Sequence, residues 1–311
     1  QEFAGVIGRE FEAIQHAVGE KDQVLNKPRL TYDYNALLLT IDMPSTLHEE
    51  PFDYLKECLT LAIASLPYDR DLICPRIHMN YQLQLEDKSV TPDMTITLTA
   101  VDGPTEDVLI AGLGECALSE DRDHVYDKME LEIRAHPEAL FAVIVLIREA
   151  LNYKSPAKDS TAFTALRNGD DEEPVPMSLK SFIKQRSTPR SFDHPVTVAG
   201  HPWCQVGSVD YFMWVKNGVA PIDIRNVAPG IMAHGRLVPG SDMGAITAML
   251  ERGLMKMRDN MVDFSRQLCP DDDHSELAEA TAVLPISWCL ASKGILRAID
   301  VTSHSRYQSW H

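Results

Sequence analysis

Between residues 52 and 148 the spacing of apolar residues switches repeatedly between helical and strand-like, and this limits the open folds more than any other feature. Phe52, Leu55, Leu59, Ala62, Ile63 and Leu66 recur at three and four, the mark of an amphipathic helix. Pro51 suits its first turn and Pro67 ends it. Ile77, Met79, Tyr81, Leu83 and Leu85 alternate at period two, as a half-buried strand does, and Asp87–Pro92 reads as a turn. Met94, Ile96, Leu98 and Ala100 alternate again, and Asp102-Gly103 is a turn signal. Val108–Cys116 reads as a third strand. Ser119 is placed to cap a helix running to about Ala135, with Glu120 and Asp121 complementing its dipole. Pro137 breaks that helix, and Leu140–Ile147 is a continuous apolar strand. The order α-β-β-β-α-β predicts an α/β protein with a mixed sheet.

The rest of the chain divides around this core, taken as 51–153. Residues 1–50 are expected to supply a helix over Glu2–Ala17 and a strand over Tyr34–Ile41 that pack on it. The segment 154–178, with the acidic stretch Asn168–Pro176, reads as a linker or loop excursion. Residues 179–311 read as a C-terminal α+β region, either a separate domain or an extension of the sheet. It has short strands in Val196–Val238, a helix over Ala245–Leu268, a helix near Glu276–Val283 and a final strand in Trp288–Val301, then a polar tail from Ser303. No apolar run approaches the roughly 18–20 residues of a membrane span, so no membrane partner is expected. The six Cys include no CxxC pair and the N-terminus shows no secretory signal. Reduced thiols in an intracellular protein, cytoplasmic or nuclear, are expected.

Two acids stand where chemistry is plausible. Asp93, after Pro92, opens the second strand of the core, and Glu115 closes the third. Neighbouring strands lie about 4.8 Å apart, so carboxylates at matched ends can share one divalent cation. Mg²⁺ favours carboxylate oxygens plus waters, and two protein ligands suffice. A bland reading competes at each position: Asp93 as a turn residue bonding its own backbone, Glu115 as a strand-end acid in water.

With Pro92-Asp93 and Glu115-Cys116-Ala117 in this order of elements, about 100 residues of the chain resemble the PD-(D/E)XK, or restriction-endonuclease-like, nuclease superfamily. The resemblance implies that Asp93 and Glu115 bind Mg²⁺ or Mn²⁺ for phosphodiester hydrolysis. It also implies a lysine at the position held by Ala117, where this chain departs from the pattern. Some members take that lysine from the following helix, and Lys128 fills the role here, with Arg122 as the other basic residue in reach. Glu57 is the counterpart of an acid that some members carry on the first helix. The catalytic set implied is therefore Asp93, Glu115 and Lys128, with Asp93 and Glu115 as metal ligands.

Charge opposes a simple nucleic-acid reading. The chain carries a formal −17, and phosphate backbones are attracted by Lys and Arg. The stretch 174–192, with Lys180, Lys184, Arg186 and Arg190 and no acid after Glu173, is the best sequence candidate for phosphate contact. The alternative is a catalytically inactive nuclease-fold protein, a pseudoenzyme that binds protein or nucleic acid. His194, His201 and Cys204 lack a fourth zinc ligand at recognisable spacing and read as structural. Ser119 and Ser292 lack a GxSxG context, and no phosphate-binding glycine loop occurs.

Overall fold

A computed structural model of the chain describes residues 1–19, 28–85, 87–103, 108–119, 121–167 and 175–311. Most of the acidic stretch 168–176 and the dipole-complementing Glu120 lie outside the described residues. The expected N-terminal helix is split into a short strand β1 (Glu2–Ala4) and a helix α1 (Gly8–Gly19). Gly5 makes the break, with φ of 77°. Next come β2 (Arg29–Asp33) and β3 (Leu38–Asp42), an antiparallel hairpin. The strand expected from Tyr34 starts later because the Asp33 carboxylate accepts the N–H groups of Asn35 and Ala36 and holds a turn there. Phe11 of α1 stacks on Tyr32 of β2, centroids 4.4 Å apart, in a small core with Leu30 and Leu39.

Helix α2 (Thr46–Ala64) starts five residues before Pro51, because Ser45 caps it by accepting the His48 N–H. Then follow β4 (Ile73–Met79), β5 (Leu83–Gln84), β6 (Lys88–Val90), β7 (Met94–Ala100), β8 (Val108–Leu118), α3 (Arg122–Ala135) and β9 (Phe141–Glu149). Strands β4, β7, β8 and β9 are neighbours in that order. The first two pairs are antiparallel and β8–β9 is parallel, around α3 as the crossover. The alternation read as one strand over Ile77–Leu85 belongs to two sheets. Asn80, at φ 58°, turns the chain out of the main sheet. Strands β5 and β6 then join the N-terminal hairpin in a second sheet of order β1-β3-β2-β6-β5, so the Asp87–Pro92 turn contains a strand. Asp121, not Ser119, caps α3 by accepting the Asp123 N–H at 3.0 Å.

The C-terminal half supplies α4 (Thr161–Arg167), α5 (Leu179–Lys184), β10 (Val196–Val198), β11 (His201–Cys204), β12 (Val206–Val215), β13 (Met232–Val238), α6 (Gly244–Leu268), α7 (Ser275–Glu279) and α8 (Trp288–Trp310). β12 pairs with β9 and β13 with β12, so this region extends the central sheet to the order β13-β12-β9-β8-β7-β4. Side chains of α2, α6 and α8 share one apolar cluster with that sheet, and α3 packs in a second cluster. The strand expected in Trp288–Val301 and the polar tail are instead one helix. Its buried Ser303 donates to the Ile299 carbonyl within the helix at 2.8 Å, and the buried His304 ring meets the distant Met177 carbonyl at 2.7 Å. No helix among the described residues is long and apolar enough to cross a membrane.

Candidate functional site

Register brings the two acids together. Met94 lies opposite Gly114 across β7 and β8, which makes Asp93 and Glu115 neighbours. Oδ2 of Asp93 accepts the Cys116 N–H at 2.6 Å. Leu113 and Ala117 pack towards α3 with Val125 and Met129, and the period-two alternation puts Glu115 on that same face. Both acids are only 2% exposed. Glu115 is inside β8 rather than at its end, so it is not a strand-end acid in water. Gly114 faces α2, where a Cβ would lie 2.7 Å from the Phe52 ring, so its lack of a side chain lets the helix approach.

The cation comes from α3. Lys128 Nζ lies 2.9 Å from Glu115 Oε2 and 3.3 Å from the Thr91 carbonyl, to which it donates. Ala117, where the resemblance expects lysine, is buried in the apolar contact with α3. One helical turn beyond Lys128 is Glu132, with 0% exposure. The Glu115 and Glu132 carboxyls hydrogen-bond each other, and no other donor among the described residues reaches either Glu132 oxygen or Oε1 of Glu115. Lys128 supplies one positive charge beside two buried carboxyls, so one of the acids keeps its proton. Burial, opposed by Lys128, raises Glu115 to about 7. Burial and then the Glu115 charge raise Glu132 well above the ordinary carboxyl range. Burial alone would lower Lys128, but Glu115, Glu132 and Asp93 outweigh it and hold the ammonium above its usual value.

A second basic group reaches the site from the N-terminal sheet. Arg29 on β2, 6% exposed, pairs through Nη1 with Oδ1 of Asp93. Its Nε donates to Asn80 Oδ1, Nη1 is 3.2 Å from His48 Nδ1, and Nη2 is 3.8 Å from Glu49 Oε1. Burial holds His48 below its usual value, so its ring is neutral at pH 7 although Nε2 lies 3.7 Å from Asp93 Oδ2. Sequence reasoning missed this shell. Starting α2 at Pro51 left His48 and Glu49 outside the helix, and the Arg29–Asp93 pair depends on how two sheets meet.

Arg29, His48, Asp93, Glu115 and Lys128 line a cavity of about 600 Å³, together with Thr31 and Thr40 of the hairpin and His124 of α3. Other candidates lie elsewhere. Glu57 is exposed on α2. Arg122 stacks over the rings of Tyr126 and Phe212 at 4.8 and 5.2 Å. Arg186 and Arg190 of the basic stretch both pair with Asp300 of α8, at 2.8 and 3.1 Å, and brace that helix. The Cys204 thiol meets Glu149 at 3.4 Å, His201 stands edge-on to Trp203, and His194 is exposed.

Among the described residues no group of three or more His, Cys, Asp and Glu is arranged to hold a metal ion. Two hard-oxygen ligands remain a fitting set for Mg²⁺ or Mn²⁺. Asp93 and Glu115 face one cavity, and Oε1 of Glu115 is a buried oxygen that no basic group among the described residues reaches. Comparison of the chain with family models, curated proteins and solved structures finds no match in any of the three.

Proposed function

We propose that this chain is a divalent-metal-dependent nuclease-like protein with a restriction-endonuclease-like core at β4, β7, β8, α2, α3 and β9. The observation that carries the reading is Lys128 Nζ at 2.9 Å from Glu115, in the cavity that also holds Asp93. It supplies from the helix the cation that Ala117 lacks. The order of elements and the antiparallel, antiparallel, parallel pairing support it. Asp93 and Glu115 would hold Mg²⁺ or Mn²⁺. When bound, the ion offsets phosphate charge and acidifies a water. Lys128 would hold Glu115 through Oε2 and the Cys116 N–H would orient Asp93, so that the two carboxylates could take the ion. Burial of both acids excludes bulk water and strengthens their interaction with a cation.

Titration calorimetry with Mn²⁺ tests this directly. Binding by the wild type that vanishes in Asp93→Ala/Glu115→Ala supports the reading, and cleavage assays with Lys128→Ala follow. No binding by the folded wild type or by a folded Arg29→Met variant, which frees Asp93 of its arginine, overturns it. A second reading, an inactive nuclease-fold protein that binds a partner, is favoured by one observation: Arg29 already pairs with Asp93 as Lys128 does with Glu115.

A further inference from the structure

The cavity is built from two units of the fold. Asp93, Glu115 and Lys128 belong to the central sheet and its crossover helix, whereas Arg29 belongs to the N-terminal hairpin. Arg29 is not a surface residue that happens to reach an acid. It is almost fully buried, and Asn80, His48, Glu49 and Asp93 surround its guanidinium. The Nη2 nitrogen has no hydrogen-bond acceptor among the described residues and lies 3.8 Å from Glu49 Oε1. A second tie joins the same units: Thr91 Oγ1 donates to the Leu30 carbonyl at 3.1 Å, next to Arg29 and two residues before Asp93. The Thr91 carbonyl accepts from Lys128. The hairpin and the acid site are therefore mechanically linked.

Charge sharpens the point. Arg29 with Asp93 and Lys128 with Glu115 make two balanced pairs. A divalent ion entering between the two acids would meet two cations already in place, and like charges at such separations repel strongly where water is excluded. Lys128 holds Oε2 of Glu115, whose carboxyl also bonds that of Glu132. Arg29 is ion-paired, without hydrogen-bond geometry, to the one Asp93 oxygen that the Cys116 N–H does not hold.

Building on the nuclease-like reading of this site, we propose that Arg29 is a tethered cation that competes with the divalent metal for Asp93, so that the N-terminal hairpin sets the metal affinity of the site. With Arg29 in place the site binds metal weakly. Withdrawal of Arg29 from Asp93 opens it. The device needs no covalent change, only the exchange of one cation for another at Oδ1 of Asp93.

The test is Mn²⁺ calorimetry on the full chain as wild type, Arg29→Met and Asn80→Gly. Met keeps the aliphatic stem of Arg29 and removes its charge. Gly tolerates the φ of 58° at position 80 and removes the oxygen that anchors Arg29 Nε. Circular dichroism establishes that each variant is folded, and Asn80→Gly decides the matter where Arg29→Met is not. The expected result is Mn²⁺ binding at least about tenfold tighter in Arg29→Met and several-fold tighter in Asn80→Gly, with the gain abolished by adding Asp93→Ala. Mn²⁺ binding that is equal to wild type or weaker in the folded variants overturns the competition while leaving the metal site standing. Absence of Mn²⁺ binding in wild type and in both variants overturns the metal site itself, and the competition with it.

Discussion

The ammonium of Lys128 lies 2.9 Å from Oε2 of Glu115, thirteen residues earlier in the chain. Removing it leaves a buried acid without its partner, which is far worse than never having had the pair. Lys128→Met is expected to lower stability by about 1–3 kcal/mol, below the range for fully buried pairs because the lysine is a quarter exposed. Glu115→Gln/Lys128→Met should recover much of the loss. Urea midpoints for the four species of this cycle check it. Strictly additive losses would show that the two side chains do not depend on each other.

The crowding of Glu115 and Glu132 around one lysine has a sign in pH. Glu115 is raised from 4.5 to about 7 and Glu132 is raised well above the ordinary carboxyl range. Between those limits the folded chain binds more protons than the unfolded one, so stability falls as pH rises from the unfolded values through the folded ones. The Glu115 part is on the order of 3 kcal/mol over pH 4.5 to 7. Glu132→Gln removes one of the competing acids, so it should flatten the curve and exceed the wild type in stability at pH 8. Urea unfolding in EDTA at pH 5 and pH 8 measures both slopes. Parallel curves would mean that Glu132 carries no shifted proton.

Asp93, Glu115 and Lys128 were legible in the sequence for local reasons. Period-two runs place Met94–Ala100 and the strand carrying Glu115, and Pro137 bounds the helix that carries Lys128. Arg29 was not legible, because its approach to Asp93 depends on pairing between β2 and β6, across sequence that reads only as a turn. Helix α8 was hidden for another reason. Thr302, Ser303 and His304 are buried, which composition does not suggest, and their hydrogen bonds are met within the helix or by neighbouring backbone. The two strands beyond β9 show apolar content but carry no signal of which sheet they join. That pairing is non-local, set when Tyr211 and its neighbours align with Val145.

Gly114 tests how closely α2 must approach the acid strand. A Cβ there would lie 2.7 Å from Phe52 Cε1 and 3.2 Å from Met94 Cβ, both in a fully buried contact. Gly114→Ala should therefore destabilise the fold by about 1–3 kcal/mol through overpacking. Phe52→Leu added to it should recover part of the loss by making room. Thermal unfolding of the single and double variants distinguishes this from a backbone effect, for which the second substitution would bring no recovery.

The burial of the acids also restricts what the proposed nuclease site can cut. Asp93 and Glu115 are 2% exposed at a cavity of about 600 Å³, walled by the N-terminal hairpin. A duplex presents its phosphates on a stiff rod whose major groove alone is about 12 Å wide, and such a rod cannot seat a phosphate against buried carboxylates. An unpaired strand can bend in, as substrates of enzymes that act within pockets do. The chain's −17 charge also disfavours long backbone contacts and is compatible with engaging only a few phosphates. In Mn²⁺, a linear single-stranded oligonucleotide should be cleaved at least about tenfold faster than a covalently closed duplex of the same sequence. A hairpin with a 3′ overhang should lose the overhang and keep its stem. Gel analysis of end-labelled substrates reads both, with Asp93→Ala/Glu115→Ala as the control. Equal cleavage of the closed duplex would mean that the hairpin wall swings clear of the site and that this cavity does not select the substrate.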